Sequence, residues 1–272
     1  MSEKEEIKET KEEKAIPEDK IKDEIEIEEK PAEEKKGKVE PEKRAPYVRL
    51  TREEREKKEI EKTLEEWKPK TVLGKQVRDK KIKNIDEILD KKILEEQIID
   101  SLLSLETELL SVGQAKGKFG GGKRRAWKQT QKKTMEGNIP SFSSSVIVGD
   151  KKGHIGLGSG KAKETLPARS KALRKAKLNL IKITRGCGSF DCLCDEPHSI
   201  PFMVKGKCGS SVIVLYPAPQ GTGLVIGDEC KRILKLAGIK DVYSKTFGQT
   251  RTTKNLAKAC IEALKKTNLK QK

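Results

Sequence analysis

Three cysteines and a histidine lie close together between residues 187 and 198. Cys187, Cys192, Cys194 and His198 supply sulfur and imidazole groups, which are the usual ligands of tetrahedral structural zinc. However, the Cys-x-Cys spacing is tighter than the usual Cys-x2–4-Cys spacing, and cysteine often serves only as a small apolar side chain. The spacing therefore favours structural thiols and no cofactor, with a zinc site at these four residues as the alternative.

Glycine and lysine are concentrated just before a predicted helix. Glycines alternate through residues 156–160, directly before Lys161 and Lys163, while Thr165 is the predicted helix cap and Pro167 suits the first turn. Backbone N–H groups, the helix dipole and both lysines would converge there, which suits a phosphate group. The alternative is a glycine-rich strand-to-helix connection with solvated lysines.

The glycine-rich segment matches neither common nucleotide-binding fingerprint. A triphosphate-binding loop would need glycine in place of Ile155 and serine or threonine in place of Ala162. A dinucleotide fingerprint would need its third glycine at Lys161. The sequence Gly156-Leu-Gly-Ser-Gly160 resembles a loop of small-molecule kinases, but no acidic or histidine base is predicted beside it. An enzyme is therefore the weaker hypothesis.

Basic residues surround this segment. Between Lys116 and Arg185 there are 19 lysines and arginines against three acidic residues, in a chain of formal net charge +17. A merely solvated face would mix its signs, so the excess predicts a polyanionic partner. We expect the following residues to bind phosphates of RNA: Lys116, Lys118, Lys123, Arg124, Arg125, Lys128, Lys151, Lys152, Lys161, Lys163, Lys171, Arg174 and Lys175.

The first 66 residues differ in composition from the rest. They hold 18 basic and 24 acidic residues with almost no apolar periodicity. We predict a disordered Glu/Lys-rich extension over residues 1–46, because such a segment cannot offset its chain entropy by burial. The sequence has no signal-peptide pattern and no apolar run of membrane-spanning length, so we expect a reducing, cytoplasmic compartment and no membrane contact.

The elements that would position the candidate residues fall into two α+β domains behind a helical segment. The helical segment covers residues 47–103, the first domain 104–185, a Cys-rich linker 186–199 and the C-terminal domain 200–272. In the C-terminal domain, apolar patterns and turn residues predict the order β-β-α-β-α. Its strands are expected at 200–204, 211–216 and 241–247, and its helices at 228–237 and 252–266.

In the first domain we predict a strand at 105–112, a hairpin of 145–148 with 154–157, and then a helix. That helix has a narrow apolar stripe formed by Ala168, Ala172, Ala176 and Leu180. The basic segment 114–134 is predicted as a long loop, a length that is uncommon unless functional. Its Phe119 and Trp127 suit stacking on unpaired bases, or Trp127 packs on the sheet beside a hairpin tip.

Motifs from Trp67 to the C-terminus resemble the S-five family of universal small-subunit ribosomal proteins. The resemblance is carried by residues 148–158, 160–164, 217–223, 236–239 and 245–253. Residues 67–74 with 86–88, and residues 185–194 with 197–202, resemble the archaeal branch in particular. One departure is residues 136–142, where the family usually has a Gly-Arg or Gln-Arg turn followed by a basic strand; here the basic residues lie upstream, at 116–133.

The resemblance implies a first domain like a double-stranded-RNA-binding domain and a structural role in the ribosome. The implied partners are small-subunit ribosomal RNA and the S-four and S-eight proteins, with messenger RNA nearby and no homo-oligomer. It also implies that Gly221, Thr222, Gly223 and Lys231 lie near the S-four contact, through which family members help to set decoding accuracy. The alternative is an RNA-binding regulator that acts away from the ribosome.

Overall fold

A computed structural model describes residues 51, 58, 61–114, 124–194 and 196–268, and these described residues belong to one compact unit. The described part is α+β with two β-sheets, as predicted. The predicted extension over 1–46 lies outside the described residues, as do Lys116, Lys118, Phe119 and Lys123.

Residues 58 and 61–65 are helical, and three short helices follow them before the first sheet: α1 (Val72–Arg78), α2 (Asp86–Leu89) and α3 (Gln97–Leu102). Thr71 caps helix α1 by accepting a hydrogen bond from the Gly74 N–H at 3.0 Å. Ile98 and Ile99 of helix α3 are buried, whereas Leu94, just before this helix, is 55% exposed.

The first sheet contains five strands. These are β1 (Glu106–Leu109), β2 (Trp127–Thr134), β3 (Gly137–Gly149), β4 (His154–Ala162) and β5 (Leu180–Lys182). The strand order is β1-β3-β4-β5, and β2 also pairs with β3; all pairs are antiparallel.

Strand β2 corrects the prediction of a long loop over residues 114–134. It joins β3 through the two-residue turn Met135-Glu136, and Gly137 after the turn has a φ of +118°. Every side chain of β2 except Thr134 is exposed, including Trp127 at 40%. Because its polar side chains lack hydrophobic periodicity, the sequence pattern missed this strand.

Helix α4 (Thr165–Leu178) packs on β3 and β4 of the first sheet. Ala168, Ala172 and Ala176 of the predicted stripe are fully buried, whereas Leu180 belongs to β5 and not to the helix. The N-cap is Glu164, so the prediction that Thr165 caps the helix is wrong by one residue.

The second sheet has the order β6-β7-β9-β8, in which only β8 and β9 are parallel. Its elements are β6 (Val204–Cys208), β7 (Ser211–Pro217), β8 (Leu224–Val225), α5 (Asp228–Ala237), β9 (Val242–Phe247) and α6 (Thr253–Lys265). The predicted order is correct apart from the two-residue β8. Strand β6 begins four residues later than predicted, so its hairpin turn lies at Gly209 and Ser210.

Alternation along β3 divides the buried side chains between two cores, because successive strand residues point to opposite faces. Val146 and Val148 pack with helices α1 to α4 on one face of the sheet. Ile147 packs on the other face with the residues of α5, α6 and the second sheet. The first sheet is therefore covered on both faces around residues 146–148 of β3.

Candidate nucleic-acid interface

Four lysines converge on one pocket of about 400 Å³. Lys128 comes from β2, Lys161 from β4, Lys175 from α4 and Lys254 from the first turn of α6. The remaining lining is polar and small: Thr130, Ser143, Ser159 and Gly160. The pocket therefore joins the two sheet domains and presents ammonium and hydroxyl groups, which together suit an anion with several acceptor oxygens.

Lys254 is the most enclosed of these four lysines, and it donates a hydrogen bond to the Ser143 Oγ at 2.9 Å. Burial, together with the nearby charges of Lys128, Lys258 and Lys161, lowers the pKa of Lys254. Burial and the neighbouring positive charges both disfavour the protonated form of Lys254, whereas a bound anion would favour that form.

The structure brings only some of the predicted RNA-binding residues to this pocket. Lys163, Lys171 and Arg174 are not among its lining residues, and all three are exposed on or beside α4. Arg124 and Arg125 are exposed just before β2.

Lys151 and Lys152 lie in the turn at the opposite end of the β3–β4 hairpin, about 20 Å along the strands from Lys161. Lys151 is paired there with Glu106. The predicted residues therefore form separate groups on the surface and not one continuous site.

The glycines before α4 bring strand and helix together. A Cβ atom on Gly158 would lie 2.1 Å from the Ala172 carbonyl oxygen, and one on Gly156 would lie 2.2 Å from that of Ala176. These two glycines therefore face the helix backbone. A Cβ atom on Gly160 would likewise lie 2.2 Å from the Ala168 carbonyl oxygen, and Gly160 also lines the four-lysine pocket. A phosphate at this strand-to-helix connection stays a prediction.

The turn at residues 221–223, which is predicted to contact a protein partner, has a backbone conformation that favours glycine. Gly221 and Gly223 adopt φ values of +88° and +72°, in the left-handed region that favours glycine. The Gly223 N–H donates to the Asp241 Oδ1 at 2.7 Å. Thr222 and Lys231 are partly buried nearby, on the turn and on α5.

The linker brings together the four residues considered as zinc ligands. The candidate ligand atoms of Cys187, Cys192, Cys194 and His198 all lie within 4.8 Å of one another, so the cluster can hold a metal ion. The hydrogen bond with Cys194 lowers the pKa of the Cys192 thiol to about 6, and the same contact raises that of Cys194 to about 12. The fifth cysteine of this region, Cys208, lies in β6 outside the cluster.

Sequence reasoning missed Lys254 as part of the basic surface. Lys254 lies in the C-terminal domain, far in sequence from the basic segment of the first domain, and the residues around it do not indicate that it joins the basic surface. Within the described part of the chain, no helix is long and apolar enough to cross a membrane.

Lysines gathered around a polar pocket on an α+β fold form the kind of basic patch with which proteins bind nucleic acids. Family models described as "Ribosomal protein S5, N-terminal domain" and "Ribosomal protein S5, C-terminal domain" match residues 126–184 and 206–272. The chain belongs to this family of small-subunit ribosomal proteins. It is a structural constituent of the ribosome and not an enzyme, and the archaeal resemblance of the sequence is confirmed.

Three archaeal relatives illustrate the similarity, each named "Small ribosomal subunit protein uS5". The protein of Nanoarchaeum equitans is 50% identical over 75% of this chain and 88% of its own. That of Thermofilum pendens is 49% identical over 74% of this chain and 94% of its own. That of Methanocaldococcus jannaschii is 48% identical over 75% of this chain and 89% of its own.

Proposed function

We propose that the protein binds small-subunit ribosomal RNA mainly through phosphates, with the four-lysine pocket as the central contact. The observation that carries this proposal is the convergence of Lys128, Lys161, Lys175 and Lys254 from four elements. Like charges in one pocket repel each other, so the arrangement is favourable when a polyanion neutralises them. Phosphate contacts of this kind fix the register of a protein on RNA without reading bases.

The remaining basic residues extend this surface. Lys163, Lys171 and Arg174 supply further phosphate contacts beside α4, and Arg124 and Arg125 supply them next to β2. Lys152, at the far turn of the β3–β4 hairpin, meets a separate part of the RNA. Because Trp127 is 40% exposed on an edge of the basic surface, it is available to stack on an unpaired base.

The protein partners in this proposal are ribosomal proteins of the S-four and S-eight families. Gly221, Thr222, Gly223 and Lys231 form the S-four contact, messenger RNA passes nearby, and the contact contributes to decoding accuracy in a cytoplasmic ribosome. Two glycines with positive φ hold the turn in shape, and the partly buried Lys231 supplies a charge at the edge of the interface, where charges tune association more than they hold it together.

The test is the salt dependence of binding to transcribed small-subunit ribosomal RNA. Alanine at Lys128, Lys161, Lys175 and Lys254 together should weaken binding and flatten the log–log salt dependence. The slope should decrease by about 0.7–0.9 for each phosphate that the variant no longer neutralises.

The matched control replaces four exposed lysines elsewhere, Lys91, Lys92, Lys205 and Lys207, with alanine. It changes the net charge equally, so it should retain most of the affinity and slope. Equal weakening in both variants would show that only total charge matters, and unchanged binding by the pocket variant would mean that the RNA binds elsewhere.

A further inference from the structure

We propose that Cys187, Cys192, Cys194 and His198 bind one zinc ion, which fastens the linker to the C-terminal domain. Three sulfurs and one imidazole nitrogen form one of the common ligand sets of structural zinc. Zinc–sulfur bonds of about 2.3 Å in a tetrahedron place two sulfurs about 3.8 Å apart. In the structure the Cys192 Sγ lies 2.9 Å from the Cys194 Sγ and 3.6 Å from the His198 Nε2. Small side-chain shifts are therefore enough to admit the ion.

The histidine is already oriented as a ligand. His198 is buried, and its Nδ1 lies 2.8 Å from the Asp241 Oδ2. That contact leaves Nε2, on the far side of the ring, facing the cysteines. A carboxylate that holds the second nitrogen of a metal-binding histidine is the usual outer partner in zinc sites, because it fixes the ring orientation and tautomer.

Asp241 is itself held in place. Its Oδ1 accepts a hydrogen bond from the Gly223 N–H at 2.7 Å, and its backbone carbonyl accepts one from the Ser199 hydroxyl at 2.6 Å. The His198 carbonyl in turn accepts from the Lys240 N–H at 2.8 Å. The imidazole therefore belongs to a rigid part of the C-terminal domain, to which the cysteines of the linker are brought.

The linker needs such an anchor because apolar burial does not hold its tip. Phe190 and Leu193 are fully exposed, at 102% and 103% of their reference areas. The ends of the linker are fixed by a pair of 2.9 Å backbone hydrogen bonds between Gly186 and Ser199. Between these ends the large apolar side chains point outward while the three sulfurs point at one another. This arrangement is what a metal-centred loop requires, since the metal replaces a hydrophobic core.

The test is metal analysis of the full-length protein purified without chelator or added zinc. We expect one zinc per chain by elemental analysis and a zinc–sulfur distance of about 2.3 Å by X-ray absorption. Replacement by cobalt should give the thiolate charge-transfer band and the intense visible bands of tetrahedral cobalt. Cys192→Ser should lose the metal, while the control Cys208→Ser, outside the cluster, should retain it.

Several outcomes would overturn the zinc site. These are a metal-free protein that also fails to bind added zinc or cobalt, iron in place of zinc, or a disulfide between Cys192 and Cys194 under reducing purification. Equal metal content in the Cys192→Ser and wild-type proteins would exclude Cys192 as a ligand. None of these experiments measures RNA binding, so a negative result for zinc would not contradict the proposed function.

Asp241 acts here as a positioning residue. Asp241→Asn should keep the tetrahedral cobalt spectrum but weaken zinc binding about 10- to 100-fold in a competition with a chelating dye. Circular dichroism would confirm that this variant is folded. Unchanged zinc affinity in the folded variant would show that the carboxylate does not support the ligand.

Discussion

His154 lies between two carboxylates from different parts of the chain. Its Nδ1 is 2.6 Å from the Asp150 Oδ2 within the β3–β4 hairpin, and its Nε2 is 3.0 Å from the Asp86 Oδ1 on α2. The hydrogen bond with Asp150 and, despite burial, that with Asp86 raise the pKa of His154. Asp86 also accepts a hydrogen bond from Lys182, so the cluster connects the N-terminal helices to the first sheet.

The pKa values of the two carboxyl groups shift in the opposite direction, downward. The His154 hydrogen bond, followed by that of Lys182, lowers the pKa of Asp86. Burial alone would raise the pKa of Asp150, but hydrogen bonds from His154 and Lys152 outweigh it and lower the value. The histidine therefore contributes stability below its unfolded pKa of 6.5, and this is lost as the pH rises through the higher folded pKa. The two carboxylates contribute stability above pH 3.8, the ordinary pKa of aspartate. This stability is lost as the pH falls through their lowered pKa values in the folded protein.

His154→Gln should therefore change the pH dependence of stability. We expect the variant to lose roughly 1–3 kcal/mol of unfolding free energy near pH 5, because it loses charge-assisted hydrogen bonds, and less near pH 9. Urea unfolding across this range measures the difference. Lys83→Gln, which removes an exposed positive charge nearby, should give a parallel curve close to wild type. The same loss at both pH values would indicate a packing role for His154 and not an ionic one.

At the scale of elements, the contact between β4 and α4 depends on glycine facing alanine. Gly156, Gly158 and Gly160 alternate on one face of the strand, opposite Ala176, Ala172 and Ala168 of the helix. The strand repeat of two and the helical repeat of about four match over this distance. Backbone therefore meets backbone, at a separation that any side chain on the strand would increase.

Gly158→Ala should destabilise the first domain. Its new methyl group would lie 2.1 Å from the Ala172 carbonyl oxygen and 2.2 Å from the Ala176 nitrogen, both on the helix backbone. Overpacking of this kind costs about 1–3 kcal/mol, which chemical unfolding can measure. Gly227→Ala is the control for the added methyl group, since no atom lies within 4 Å of it and the φ of −61° suits alanine. Because Gly227 is the N-cap of α5, only the weaker N-cap preference of alanine acts at this position. A neutral Gly158→Ala would show that α4 moves away from the sheet without cost.

Most of the regular elements can be predicted where apolar residues repeat. The sequence predicts helix α5 with its bounds, and in the structure Ile233 and Leu234 are buried and Gly238, with a φ of +80°, caps the helix. Strand β2 could not be predicted, because β3 supplies its hydrogen bonds and solvent covers its side chains. The two-residue β8 is similarly defined by its partner β9 and not by its own sequence.

At the scale of the whole molecule, the candidate sites depend on contacts between segments that are distant in sequence. The four candidate zinc ligands could be named from twelve residues of sequence, but their approach to within 4.8 Å depends on the fold of the linker. Lys254 reaches the pocket of Lys128 and Lys161 because the two sheet domains pack together. Composition predicted the positive charge of the surface and the part of the sequence that supplies it. Identifying the individual residues that form the surface required the tertiary structure.

The two sheet domains share one core, which predicts that they unfold together. Helix α5 of the second domain packs against β3 of the first, and Leu110, Ile147 and Ile155 of the first domain belong to the same hydrophobic cluster as Ile233. A hydrogen bond also crosses the boundary between the two domains: the Arg232 guanidinium donates to the Leu109 carbonyl at 2.7 Å.

Ile233→Ala should reveal this coupling, because the two tryptophans, Trp67 and Trp127, both precede the second domain. Tryptophan fluorescence therefore reports on the N-terminal helices and the first sheet, while circular dichroism reports on the whole chain. Loss of a fully buried isoleucine should cost about 2–5 kcal/mol, and in one cooperative unit it should shift both unfolding curves by the same amount. Leu166→Ala, at a residue that is 73% exposed, should shift neither. A fluorescence curve that stays at its wild-type midpoint while the dichroism curve moves would show that the domains unfold independently, since the mutated side chain lies on α5 and the fluorophores do not.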